Sequence, residues 1–172
     1  KRTEKPNLVI IMTDDMGWAD VGFNGCKDIP TPNIDVIANE GVRFDEGYVS
    51  FPVCGPSRAG LLTGRYQDRF GFTTNPSIDP NNPKAGLPTT EETIATVLQK
   101  ANYNSAIIGK WHMGSHSKYN PRNFGFDQHY GITGAGSLYA PLNEEKIIES
   151  RHTWDFADFI IWQVSNYHIE EN

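Results

Sequence analysis

Three short stretches concentrate side chains able to bind a cation, attack an electrophile or balance negative charge: Asp14-Asp15, Cys54 followed by Arg58, and Lys110 with His112. Adjacent aspartates are hard oxygen donors that suit Ca2+ or Mg2+, and the same pair also serves as an Asx-type strand terminator. Cys54 opens the run CGPSRAGLLTGR in a chain with only one other cysteine, Cys26. Pro56 suits the first turn of a helix, so the thiol lies at a predicted helix N-terminus, where unpaired N–H groups and the helix dipole favour an anion. A cysteine-dependent phosphatase loop needs its arginine farther along and a cradle of amides between; here Arg58 follows closely and Pro56 removes an amide.

The elements that must carry these residues alternate. PNLVIIMTDD reads as a buried strand, because five consecutive apolar residues, Leu8 to Met12, end at Thr13, Asp14 and Asp15. In TPNIDVIANEG, Thr31 is placed to cap a helix, Pro32 to begin it and Gly41 to end it, with Ile34, Ile37 and Ala38 on one face. VRFDEGYVS is a second strand candidate closed by Pro52, and the helix after Cys54 should stop at Gly64. Thr89 and Glu92 have capping-box spacing ahead of a stripe of Ile94, Val97 and Leu98, and NSAIIGKWH reads as a short buried strand. Alternating strands and helices predict an α/β architecture, with the three chemical stretches at strand ends, the edge where open α/β sheets bind ligands. The Pro- and Asn-rich run from Thr74 to Pro88 reads as a surface loop, and its Asp79 and Asn81 do not complete a calcium loop, since Pro83 and Lys84 stand where a ligand and a glycine are needed.

Totals narrow the classes. At 172 residues, 38% hydrophobic and 21% charged, the chain is long enough for a core and unlike a disordered sequence. Its apolar runs are too short to span a bilayer, and a net charge of −6 with no basic run predicts no nucleic-acid partner. Two cysteines allow at most one bridge, Cys26–Cys54. His116, His129, His152 and His168 lack metal-ligand spacing and read as surface or core histidines, with His116 singled out as a substrate contact because it lies close to His112.

Cys54-Gly55-Pro56-Ser57-Arg58, running on to Leu62-Thr63-Gly64-Arg65, resembles the signature of the type I sulfatases, within the alkaline-phosphatase-like superfamily. PNLVIIMTDDMG resembles that family's first strand with its metal-binding aspartates, TPNIDVIANEGVRFDEGYV the following helix and strand, GKWHMG the segment with a catalytic lysine and histidine, and NFGFDQHYG a further block. The resemblance covers Pro6 to about Gly131.

It implies a mixed, largely parallel sheet flanked by helices, here incomplete, with residues 1–140 forming the N-terminal part of a catalytic domain and 141–172 unassigned. It also implies that a formylglycine-generating or sulfatase-maturating enzyme oxidises Cys54 to formylglycine, whose hydrated aldehyde attacks the sulfur of a sulfate ester and then expels sulfate as the aldehyde reforms. By the same carry-over Asp14, Asp15 and the position-54 group hold Ca2+, or Mg2+, while Arg58 orients the nucleophile and Lys110 and His112 engage sulfate oxygens. A glycan sulfate is the first expected substrate and an aryl sulfate the second, with a periplasmic or exported location.

Family members are longer, and their remaining metal ligands, second lysine and second histidine find no counterpart here. A piece of a longer sulfatase and a natural short relative are both open, the intact motifs favouring the first. The functional alternatives are a non-catalytic fragment or pseudoenzyme that binds sulfated ligands, and a related phosphate or phosphonate ester hydrolase.

Overall fold

The computed structural model describes residues 5–136, which fall into two compact units divided between Tyr48 and Val49. The segment assigned to no element from sequence, 141–172, lies outside the described residues.

In the first unit the expected helix forms as α1, Pro32–Glu40, with Pro32 at its start and Gly41 at its end. Thr31 occupies the N-cap position without capping the helix through its side chain. Its hydroxyl accepts the Gly22 N–H at 2.7 Å and donates to Asp35 Oδ1 at 3.0 Å, and that carboxylate also accepts the Phe23 N–H at 2.9 Å. These bonds tie the start of α1 to the turn at Gly22, where a Cβ would come within 2.3 Å of Asp35 Oδ2.

The two strands expected here are not found. Leu8–Met12 and Val42–Val49 form no ladder, and Val9, Ile11, Phe44 and Tyr48 are largely exposed. The physical reason is pairing: a continuous apolar run becomes a buried strand only when neighbours satisfy its backbone and cover both faces, and among the described residues no strand pairs with either segment.

The second unit has a true core. Helix α2, Cys54–Thr63, ends at Gly64 in the left-handed conformation (φ 65°), and Thr63 Oγ1 donates to the Ala59 carbonyl at 2.7 Å. Arg65 then pairs with Glu91 at 2.5 Å, fixing the end of α2 to the segment that leads into α3, Ile94–Lys100. Thr93, and not Thr89, caps α3: Thr93 and Thr96 exchange reciprocal side chain–backbone bonds, and the Thr93 hydroxyl also donates to the Phe124 carbonyl at 2.6 Å. That last bond is buried, so it selects the later threonine as the cap and points Ala95 to the core while Val97 stays half exposed.

Strand β1, Ala106–Lys110, pairs in parallel with β2, Gln128–Ile132, in a register that sets Ala106 opposite Gln128 and Lys110 opposite Ile132. Beneath them Trp111 and Phe124 meet at 5.6 Å between ring centroids and Trp111 and Phe126 edge-on at 6.2 Å, with Leu87, Met113, Ala59 and Ala95 closing the cluster. The other side of the ladder, with Ile108 and Tyr130, is exposed.

The loop from Thr74 to Pro88 carries no helix or strand, as expected. Asp79 Oδ1 accepts the Asn81 N–H and Asn82 Oδ1 the Lys84 N–H, so these side chains serve turns within the loop.

Candidate active site

Cys54 is the first residue of α2 and is partly buried. Its neighbours leave little of the amide array that a helix start ordinarily offers. The Gly55 N–H donates to Asn75 Oδ1 at 2.9 Å, Pro56 has no N–H, and the Ser57 N–H donates to the Val53 carbonyl at 3.1 Å. Negative charge at position 54 therefore calls on side-chain cations more than on backbone dipoles. Cys54 Sγ also lies 3.7 Å from Asn75 Oδ1. Both cysteines are free thiols, so the bridge between them is absent.

One turn along α2, Arg58 reaches across to β1 and donates through Nη1 to the Lys110 carbonyl at 2.6 Å. The guanidinium is thus fixed to the strand end that carries the other predicted cation. Beyond Lys110 the chain stays tied to β2's extension, with the Trp111 N–H on the Ile132 carbonyl at 2.8 Å and the His112 N–H on the Thr133 carbonyl at 3.1 Å. A Cβ on Gly55 would stand 3.1 Å from the His112 carbonyl oxygen, which brings the first turn of α2 and the Lys110–His112 segment into close approach. The second unit thus brings the first turns of α2 beside the backbone of the Lys110–His112 segment, two stretches far apart in sequence.

Backbone strain marks the same positions. Among the described residues only Asp15 (φ 52°), Asn102 (φ 59°) and His112 (φ 57°) are non-glycine residues with positive φ. Two of these three are residues nominated from sequence for chemistry. Such conformations cost of order 1 kcal/mol or more and concentrate where geometry serves function. His112, only 2% exposed, follows Trp111 and precedes Met113, both fully in the core. The left-handed kink accommodates three consecutive buried side chains directly after a strand whose residues alternate faces.

Asp14 and Asp15 lie in the first unit, exposed, at the bend that follows the extended Leu8–Met12 run. Two exposed carboxylates on a strained bend suit a hard divalent cation as part of its shell of six to eight oxygens. Among the described residues no three His, Cys, Asp or Glu side chains gather into a metal-binding group.

His116 caps a short 3-10 turn: its Nδ1 accepts the Lys118 N–H at 3.2 Å, and its ring meets Tyr119 edge-on at 6.4 Å. Used as an acceptor, Nδ1 leaves the proton of the neutral ring on Nε2. Cys26, half-buried, has its N–H on the Val21 carbonyl. Asn75 is the neighbour that sequence reading did not single out, since nothing in an Asn-Pro pair within a loop signals a partner at a helix start.

The sulfatase family model matches residues 6–168. The chain belongs to the sulfatase family. It is similar to human Arylsulfatase G, 48% identical over 131 residues that make up 76% of this chain and 24% of the relative, and to mouse N-acetylgalactosamine-6-sulfatase, 43% identical over 133 residues, 74% and 26% of the two chains. Among solved structures it resembles Ps i-CgsB, with a TM-score of 0.74 and 46% identity over 79% of this chain and 30% of that one; the same protein has been solved in complex with k-i-k-neocarrahexaose. The chain spans about a quarter of the length of the curated relatives it matches. As a sulfatase-family chain it has the expected architecture, an α/β arrangement whose small parallel sheet is flanked by helices and which forms part of a larger fold.

Proposed function

We propose that the protein to which these residues belong hydrolyses sulfate esters, with sulfated carbohydrates as its substrates, and that this chain supplies the nucleophile and part of the cation site. The observation that carries the reading is the junction of α2 with β1: Cys54 heads the helix, Arg58 is anchored on the Lys110 carbonyl, and His112 follows in a strained, buried kink. A cysteine flanked by glycine, proline and arginine is what the modifying enzyme of this family reads. The oxidised residue, a formylglycine, supplies when hydrated an oxygen nucleophile and a route for releasing sulfate.

The chain's own residues have separable tasks. Arg58, with one nitrogen held by a backbone carbonyl, keeps its charge fixed in orientation, which lowers the reorganisation needed when charge develops on a neighbouring oxygen. Lys110 and His112 sit at the strand end next to that anchor and are assigned to the sulfate oxygens. His116, with its Nδ1 committed to the turn, is left with Nε2–H as a donor toward substrate. Asp14 and Asp15 would hold Ca2+, or Mg2+, which when bound supplies positive charge against an anionic substrate. The carbohydrate assignment is supported by the sulfated-sugar names of relatives such as N-acetylgalactosamine-6-sulfatase and by the oligosaccharide complex of Ps i-CgsB.

The test is turnover by the complete enzyme, produced in a host that installs the modification, on matched sulfate and phosphate esters with and without a chelator. Release of sulfate that vanishes on chelation and in Cys54→Ala, together with a peptide mass at position 54 shifted from cysteine to the aldehyde, is the expected result. Retained turnover in Cys54→Ala, or faster release of phosphate than of sulfate, refutes it.

A further inference from the structure

We propose that Asn75 is a positioning residue for the group at position 54, holding it in place through the same carboxamide oxygen that takes up the first amide of α2. This deepens the sulfatase reading, and rests on it for the consequence in catalysis but not for the contact itself.

Asn75 Oδ1 accepts the Gly55 N–H at 2.9 Å and lies 3.7 Å from Cys54 Sγ, within reach of a thiol hydrogen bond. One oxygen therefore meets both the helix start and the reactive side chain. Pro76 follows directly and biases Asn75 away from helical conformations, which reduces the freedom of the loop at this point. Gly55 makes the approach possible: a Cβ there would lie 2.9 Å from Asn75 Oδ1, 3.1 Å from the His112 oxygen and 3.2 Å from Pro76 Cδ. The glycine of the Cys-Gly-Pro run is thus the residue that lets loop, strand end and helix close on one another.

Pro56 lacks an N–H and the Ser57 N–H is bonded to Val53, so the Gly55 amide is the remaining donor at the head of α2, and Asn75 occupies it. Asn75 Oδ1 is an acceptor, so its partner at position 54 is a donor. A thiol or a hydroxyl there is held in one orientation by donating to it. In the mature enzyme Asn75 would hold a hydroxyl at position 54 in the same way.

The unmodified thiol tests this independently of any oxidation. In the complete protein, produced in a host that does not install the modification, alkylation of Cys54 by iodoacetamide is followed by mass spectrometry of its peptide, with the Cys26 peptide as reference. Asn75→Ala releases the Gly55 N–H to the sulfur and should speed Cys54 alkylation about fivefold to tenfold, as expected for gaining a hydrogen bond to a charged group at a solvent-accessible site. Asn75→Asp keeps an acceptor of the same shape but adds a negative charge, and should slow it below wild type.

A merely structural role would loosen the loop and raise reactivity in both variants. Opposite responses, with Cys26 unchanged, establish the contact; equal rates in all three proteins, or acceleration in both variants, overturn it. Gly55→Ala, which forces the carboxamide away, should accelerate like Asn75→Ala, and an unchanged rate there counts equally against the proposal. Because every arm reads a thiol, failure here leaves the sulfatase reading to be decided by turnover alone.

Discussion

The unit that carries Asp14 and Asp15 and the unit that carries Cys54 and Arg58 hold their charged residues in opposite ways. Around Asp14 and Asp15 the chain is extended and exposed, and among the described residues of that unit Val21 is the one buried hydrophobic side chain. Around Cys54, Arg58, Lys110 and His112 there is a packed aromatic cluster, a parallel strand pair and a capped helix. The first unit presents its aspartate pair on an exposed bend. The second places its candidate site on a helix and a paired strand, held by contacts within the unit.

The difference predicts which substitutions act through stability and which through charge. Trp111→Ala should have the largest effect, removing the centre of the second unit's core at a cost of about 3–5 kcal/mol, read as a large fall in the denaturant midpoint of that unit. Its indole N–H is buried without a hydrogen-bond partner, so Trp111→Phe should cost distinctly less than its lost area suggests. A midpoint unmoved by Trp111→Ala would erase the contrast between the two units.

Arg58→Lys comes next. A lysine cannot both keep the bond to the Lys110 carbonyl and present a planar charge, so kcat of the complete enzyme on a sulfate ester should fall about a hundredfold to a thousandfold. A rise of similar size in KM with kcat unchanged would assign Arg58 to binding.

Asp15→Asn should weaken Ca2+ binding to the complete enzyme by roughly tenfold or more in a calorimetric titration, because one hard charged donor is lost from the shell. It should leave the unfolding midpoint of the metal-free protein within about 0.5 kcal/mol of wild type, as for other exposed substitutions. A marked loss of metal-free stability would show that the bend is a structural element in its own right. Thr93→Ala is the smallest change proposed. Loss of the α3 cap and of the bond to the Phe124 carbonyl should lower stability by about 1–2 kcal/mol, measurable in the same denaturant series.

Much of the candidate site could be nominated from the sequence because its residues are chemically distinctive and short-range. The Cys-Gly-Pro-Ser-Arg run lies within two helical turns, and Pro32, Gly41 and Gly64 mark helix ends by rules that involve only near neighbours. The strands were less legible for the opposite reason. Leu8–Met12 has the composition of a buried strand, but burial depends on partners that periodicity cannot supply, and the described residues contain none. QHYGI, in contrast, forms β2 through its pairing with Ala106–Lys110, although its own composition gave little sign of a strand. The cap of α3 went to Thr93 because a carbonyl from Phe124, distant in sequence, meets its hydroxyl.

What the amino-acid order alone determined is the inventory: which thiol, which carboxylates and which cations are present, and the helix starts and stops around them, all consequences of local stereochemistry. Tertiary structure alone decided that Arg58 is anchored to the Lys110 carbonyl, that His112 is kinked into a buried position, and that Asn75 shares one oxygen between Gly55 and Cys54. These are contacts between residues 20 or more positions apart, or strain imposed by packing, and no nearest-neighbour rule encodes them.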